Sequence, residues 1–140
     1  MFEAKTIMTK QVIAVNPGSS ITEAIRLLVK HGVSGLPVVD ENTTLVGILS
    51  EKDALGLLLN PDEHKPNVAD YMTHKVIAFK DTDGLIAICK CLIENPYRRV
   101  PIVDKNNKLV GIISRRDIMK KILEMKHIDV EDFGVDGELV

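Results

Sequence analysis

The stretch PVVDENTTLVGILSEKD, Pro37 to Asp53, occurs a second time as PIVDKNNKLVGIISRRD, Pro101 to Asp117. Both ends are displaced by 64 positions, so the copies align without insertion or deletion. Each reads as a β-hairpin, LPVVD and LVGILS around the turn ENTT, running into a helix near Glu51. A unit of this size leaves an apolar face uncovered, and the repeat therefore predicts two units sharing one packed body.

Working outward, PGSSITEAIRLLVKHG precedes the first copy. Ser20 followed by Glu23 has the spacing of a capping box, and Gly32 is placed to stop the helix. Ile21, Ala24, Ile25, Leu28 and Val29 fall on one helical face. In the second half Asp83 is the expected cap for LIAICKCLIE, which turns Leu85, Ile88, Cys89, Leu92 and Ile93 to one side. VIAV and VIAF predict a short strand ahead of each of these helices, and VADYM a single helical turn. The helix after the first copy ends at Asn60 and Pro61; the one after the second runs from about Arg115 to Lys126, with Ile118, Met119, Ile122 and Leu123 inward. The order in each half is strand, helix, strand, strand, helix. The expected architecture is α+β, two pseudo-symmetric βαββα units packed through their sheets. The units span 1–62 and 63–127, and the tail 128–140 reads as a mobile end or a packing arm.

The 140 residues carry a net charge of −2 with both signs dispersed, which gives no global pull toward nucleic acid or an anionic membrane. No apolar run has the length of a membrane span, and MFEAKTIMTK lacks a secretory core, so the chain reads as cytoplasmic. Cys89 and Cys91, two apart on a helix, point apart and read as packing residues. His31, His64, His74 and His127 are scattered, which speaks against a metal site. No phosphate loop, dinucleotide fingerprint or glycine-flanked nucleophilic serine occurs, so no enzymatic activity is expected. Asp40 and Asp104 open turns, where an aspartate bonds its own backbone.

Ser50 and Asp53, like Ser114 and Asp117, stand where a strand becomes a helix. The serine can accept from a free amide of the first turn, and the aspartate favours the positive end of the helix dipole. The same groups could cradle a phosphate and take ribose hydroxyls. Gly47 and Gly111 sit inside strands, a position that marks close approach by a ligand or by another piece of backbone. The residues leave cap and ligand site both open.

About residues 5 to 125 resemble a tandem pair of cystathionine β-synthase-type (CBS) domains, small regulatory modules that bind adenine nucleotides. GILSEKD and GIISRRD match the family's ligand motif, and HGVSGLPVVD and NPYRRVPIVD its middle strand. The resemblance implies that Asp53 and Asp117 hold ribose hydroxyls and that Ser50 and Ser114 contact phosphate. It places Val12, Ile13, Val33 and Ser34 around the base in one site, and Val76, Ile77, Tyr97 and Arg98 in the other. Pro37 and Pro101 belong to the same strands. Lys52, Arg99, Arg115 and Arg116 complete the candidate ligand residues.

The second copy has His74, Lys75, Arg98, Arg99, Arg115 and Arg116 near it in sequence, the first Lys10 and Lys52 beside Glu51, Ser34 and Gly35. Arginine forks suit phosphate oxygens, so the second site is expected to bind phosphorylated ligands more tightly; the alternative is that the arginine pairs are solvated surface or serve a partner. The implied function is a module that senses AMP, ADP or ATP as a ligand, with no catalytic cofactor. It would transmit occupancy through shape or assembly to an effector protein, with neither nucleic acid nor membrane as partner. A homodimer is implied, with Leu55, Leu58, Ile118 and Ile122 as candidate contacts within or between chains. The competing reading is a structural dimerisation module without nucleotide affinity.

Overall fold

The computed structural model describes residues 2–59 and 65–128, so the expectation for the tail beyond Ile128 falls outside them. The first half contains α1 (Ile21–His31), β1 (Gly35–Val39), β2 (Leu45–Ser50) and α2 (Glu51–Leu59). The second contains β3 (Phe79–Lys80), α3 (Leu85–Glu94), β4 (Arg99–Val103), β5 (Leu109–Ser114) and α4 (Arg115–Met125). This is the expected α+β arrangement. The hairpins pair β1 with β2 and β4 with β5 in antiparallel registers that match residue for residue at the repeat offset.

The expected leading strands are shorter than VIAV and VIAF. In the first half the strand reduces to one parallel bridge, Val15 to Val38, and in the second to two residues, Phe79 and Lys80, beside Ile102 and Val103. The chain upstream of each is drawn away to the other half. Residues Ala4–Thr6 form a 3-10 turn, as do Val68–Asp70 where a helical turn was expected. Ala4 is fully buried in the core of the second half with Leu85, Ile88 and Ile113, while Val68 is fully buried in that of the first with Ile21, Leu36 and Leu49. Burying a valine stabilises by about 1.5–3 kcal/mol, so each half draws part of its core from the other's lead.

The crossing also finishes the helices. The Leu85 amide at the start of α3 donates to the Phe2 carbonyl at 3.0 Å, and the Ile21 amide of α1 to that of Pro66 at 2.8 Å. Asp83 therefore does not cap α3: its carboxylate accepts from the Lys80 amide at 2.7 Å, and Gly84 occupies the cap position. Ser20 caps α1 by accepting from the Glu23 amide, but Glu23 pairs with Arg26 instead of closing the box. Gly32, with φ 61°, ends that helix in the left-handed conformation glycine adopts without penalty.

The two hairpin tips meet across a pseudo-twofold axis. The Leu45 amide donates to the Asn107 carbonyl and the Leu109 amide to that of Thr43, a reciprocal pair at the repeat offset. Ile21, Ala24 and Leu28 of α1 and Leu85, Ile88 and Leu92 of α3 are buried as expected. Val29 (78% exposed) and Ile93 (76%) are not. Helices α2 and α4 contain no buried residue. Contrary to the inward placement expected for them, Met119 is 57% and Ile122 46% exposed, alongside Leu55, Leu58, Leu59 and Met125.

Candidate functional site

Both copies realise the cap in full. Ser50 Oγ accepts from the Asp53 amide at 3.1 Å and Asp53 Oδ2 from the Ser50 amide at 3.0 Å. Ser114 and Asp117 repeat the exchange at 3.0 and 2.8 Å. Asp40 and Asp104 bond the backbone of their own turns; Asp104 Oδ1 accepts from the Asn106 and Lys108 amides. The Lys108 amide foremost holds the Asp104 carboxyl below its ordinary pKa.

The strand glycines have a different explanation from a ligand. A Cβ on Gly111 would lie 2.5 Å from Met8 Sδ and 2.8 Å from its Cγ; one on Gly47 would lie 3.0 Å from both Met72 Sδ and the Thr73 carbonyl oxygen. The close neighbour is in each case the crossing lead of the other half. These leads pair with the hairpins, Thr9 with Ile112 and Thr73 with Ile48. Thr73 goes further, its hydroxyl lying 3.2 Å from both carboxylate oxygens of Asp53.

Two cavities open beside the caps, and the crossing decides their membership. The larger, about 500 Å³, brings Ser50 and Lys52 together with Val76, Ile77, Tyr97 and Arg98. Ser34, Pro37, Arg99 and Pro101 also line it, as does Lys75. Asp53 is not among its lining residues and meets the wall only through its bond with Thr73. The smaller, about 290 Å³, joins Ser114, Arg116 and Asp117 to Val12, Ile13 and Val33, with Pro37 and Arg99 again in the wall.

The cations are thus not grouped as the linear sequence places them. Lys75 and Arg98, next to the second motif in sequence, line the larger cavity with Ser50 of the first, and Arg99 lines both cavities. The cations expected at the second site are divided between the cavities, with Lys75 and Arg98 in the larger, Arg116 in the smaller and Arg99 in both. Arg115 lies outside both cavities: its guanidinium donates to the carbonyls of Leu92 and Asn95 and braces the end of α3. Sequence reasoning missed Thr9, Thr73, Met8 and Met72. The MT pair that opens each repeat, at the same offset as the glycines, is the signal that could have found them.

The CBS domain model matches residues 4–60 and again 68–124. The chain belongs to the CBS domain family. Among curated relatives, the pair is 35% identical over 119 residues to inosine-5'-monophosphate dehydrogenase of Methanocaldococcus jannaschii, covering 85% of this chain and 23% of that one. It is 32% identical to the chloroplastic CBS domain-containing protein CBSX2 of Arabidopsis thaliana, covering 80% of this chain and 59% of that one. The chain thus spans about a quarter of the first relative and under two thirds of the second. The crystal structure of CBSX2 in complex with AMP superimposes with a TM-score of 0.81 at 34% identity, covering 90% of this chain and 99% of that one. The CBS domain pair of protein MJ0100, in complex with 5-methylthioadenosine and S-adenosyl-L-methionine, gives 0.73 at 29% identity, covering 89% and 98%. No helix among the described residues is long and apolar enough to cross a membrane.

Proposed function

We propose that this CBS pair is a cytoplasmic regulatory module that binds an adenine nucleotide, AMP-, ADP- or ATP-like, and reports its occupancy to an effector protein through shape or assembly. The observation that carries this reading is the larger cavity. It combines a capped helix start at Ser50, the cations Lys52, Lys75, Arg98 and Arg99, and an apolar and aromatic wall from Val76, Ile77 and Tyr97. Cations suit phosphate oxygens, and the apolar wall with the Tyr97 ring suits a base. Asp53 and Asp117 are assigned to ribose hydroxyls, Ser50 and Ser114 to phosphate. The adenosine-bearing ligands of the CBSX2 and MJ0100 pairs support the choice of adenine.

Binding shifts assembly only if two arrangements differ in affinity for the ligand. The surfaces offered for assembly are the exposed apolar residues Leu55, Leu58 and Leu59 on α2 and Met119, Ile122 and Met125 on α4, which fit a second copy of the chain. Titration calorimetry with AMP, ADP and ATP tests the proposal. Binding that is lost in Asp53→Ala or Asp117→Ala, with a change in sedimentation on saturation, is the expected result. Absence of heat and of any thermal shift with all three would overturn it in favour of a dimerisation module, the reading that the exposed α2 and α4 faces support on their own.

A further inference from the structure

The two cavities have a common wall. Gly35, Pro37, Arg99 and Ile112 line both, and of these four Arg99 alone is charged. The hairpin registers set Arg99 opposite Ser114 and its repeat equivalent, Gly35, opposite Ser50. The pseudo-symmetry is therefore broken at the wall itself, with glycine at one position and arginine at its repeat equivalent. Arg99 is half-buried and, among the described residues, has neither an ion pair nor a side-chain hydrogen bond. Other arginines are committed: Arg26 to Glu23, and Arg115 to two carbonyls at the end of α3. The remaining cavity cations serve one side each, with Lys52, Lys75 and Arg98 in the larger and Arg116 in the smaller. A guanidinium has five N–H donors on distinct edges, enough to meet anions approaching from two directions.

We infer that Arg99 is a single anion anchor shared by both cavities, so that one residue sets the preference of both for phosphorylated over uncharged ligands. The inference rests on the nucleotide reading above and goes beyond it by tying the two sites to one side chain. The test is a titration of the full chain with AMP and with adenosine, followed by NMR through the backbone amides of Ser50 and Ser114, each of which reports its own cavity. Arg99→Gln, which keeps side-chain bulk and removes the charge, is expected to raise the half-saturating AMP concentration about tenfold at both amides, the scale of one charge-assisted hydrogen bond. Adenosine binding stays unchanged, and Arg99→Lys retains part of the AMP affinity. An effect at one amide alone, or an equal loss for adenosine, overturns the shared anchor while leaving the nucleotide reading intact. A parent chain in which AMP and adenosine move neither amide removes both.

Discussion

Ser50 and Ser114 start their helices with the same two hydrogen bonds, yet the first opens on a cavity of about 500 Å³ walled by Lys75, Tyr97 and Arg98 and the second on one of about 290 Å³ walled by Val12, Ile13 and Val33. The hairpins are alike because their own residues set turn, register and cap. The cavities differ because their walls come from segments where the repeat has diverged, Val33-Ser34-Gly35 against Tyr97-Arg98-Arg99 and Gln11 against Lys75. In this molecule a motif fixes the backbone beside a site, and both halves contribute to its wall.

The sharpest way to break the likeness is at the strand glycines. Gly111→Ala is expected to destabilise by about 1–3 kcal/mol in urea melts, the range for overpacking, because its Cβ would run into Met8. Met8→Ala should relieve much of that cost. The matching Gly47→Ala should not be relieved to the same degree by Met72→Ala, since the Thr73 carbonyl stays 3.0 Å from the new atom. Equal rescue on both sides would show the two close approaches to be equivalent.

A smaller effect is expected at the hairpin tips, where Thr43 and Asn107 share positive φ angles of 61° and 62°. A β-branched residue is strained there and asparagine is tolerated. Thr43→Asn should gain about 0.5–1 kcal/mol and Asn107→Thr should lose about 1 kcal/mol, read as opposite shifts in thermal midpoint. Asn107 also donates to the Leu45 carbonyl, which adds to its loss.

The smallest effect concerns Asp104, whose carboxyl is held below its usual pKa by turn amides, the Lys108 amide first. A depressed folded-state pKa contributes stability at pH values above the unfolded value, about 4, and that contribution fades as the pH falls through the folded value. Asp104→Asn should therefore melt slightly below the parent at pH 7, and the gap should close in melts taken below about pH 4.

The hairpins, all four long helices and both caps were legible in the sequence because their signals are local: turn residues, apolar period, and serine three positions before aspartate. Asp83 misled because an amide at a helix start can be satisfied from a distance, here by the Phe2 carbonyl. Met119 and Ile122 misled because helical periodicity identifies an apolar face without saying whether this chain or another molecule covers it. Most of the candidate residues line one of the two cavities, but the sequence did not show which of them share one. Grouping depends on which half each lead crosses to, and no short-range pattern encodes that. Gly47 and Gly111 are points of close approach, but to a methionine side chain, joined at Gly47 by the Thr73 carbonyl, rather than to a ligand; Met72 lies 25 positions from Gly47 and Met8 103 from Gly111.

The reciprocal leads bear on ancestry. Among the described residues, the inter-half backbone pairings of the hairpin tips and crossing segments have counterparts displaced by 64 positions, such as Thr9 with Ile112 and Thr73 with Ile48. This is the contact pattern of a twofold homodimer that exchanges its N-terminal arms. Read that way, a half-length gene product would already have had its core completed and its helices capped by a second copy of itself. A fusion of two such copies on one chain would leave positions 35 and 99 free to differ, as Gly35 and Arg99 do.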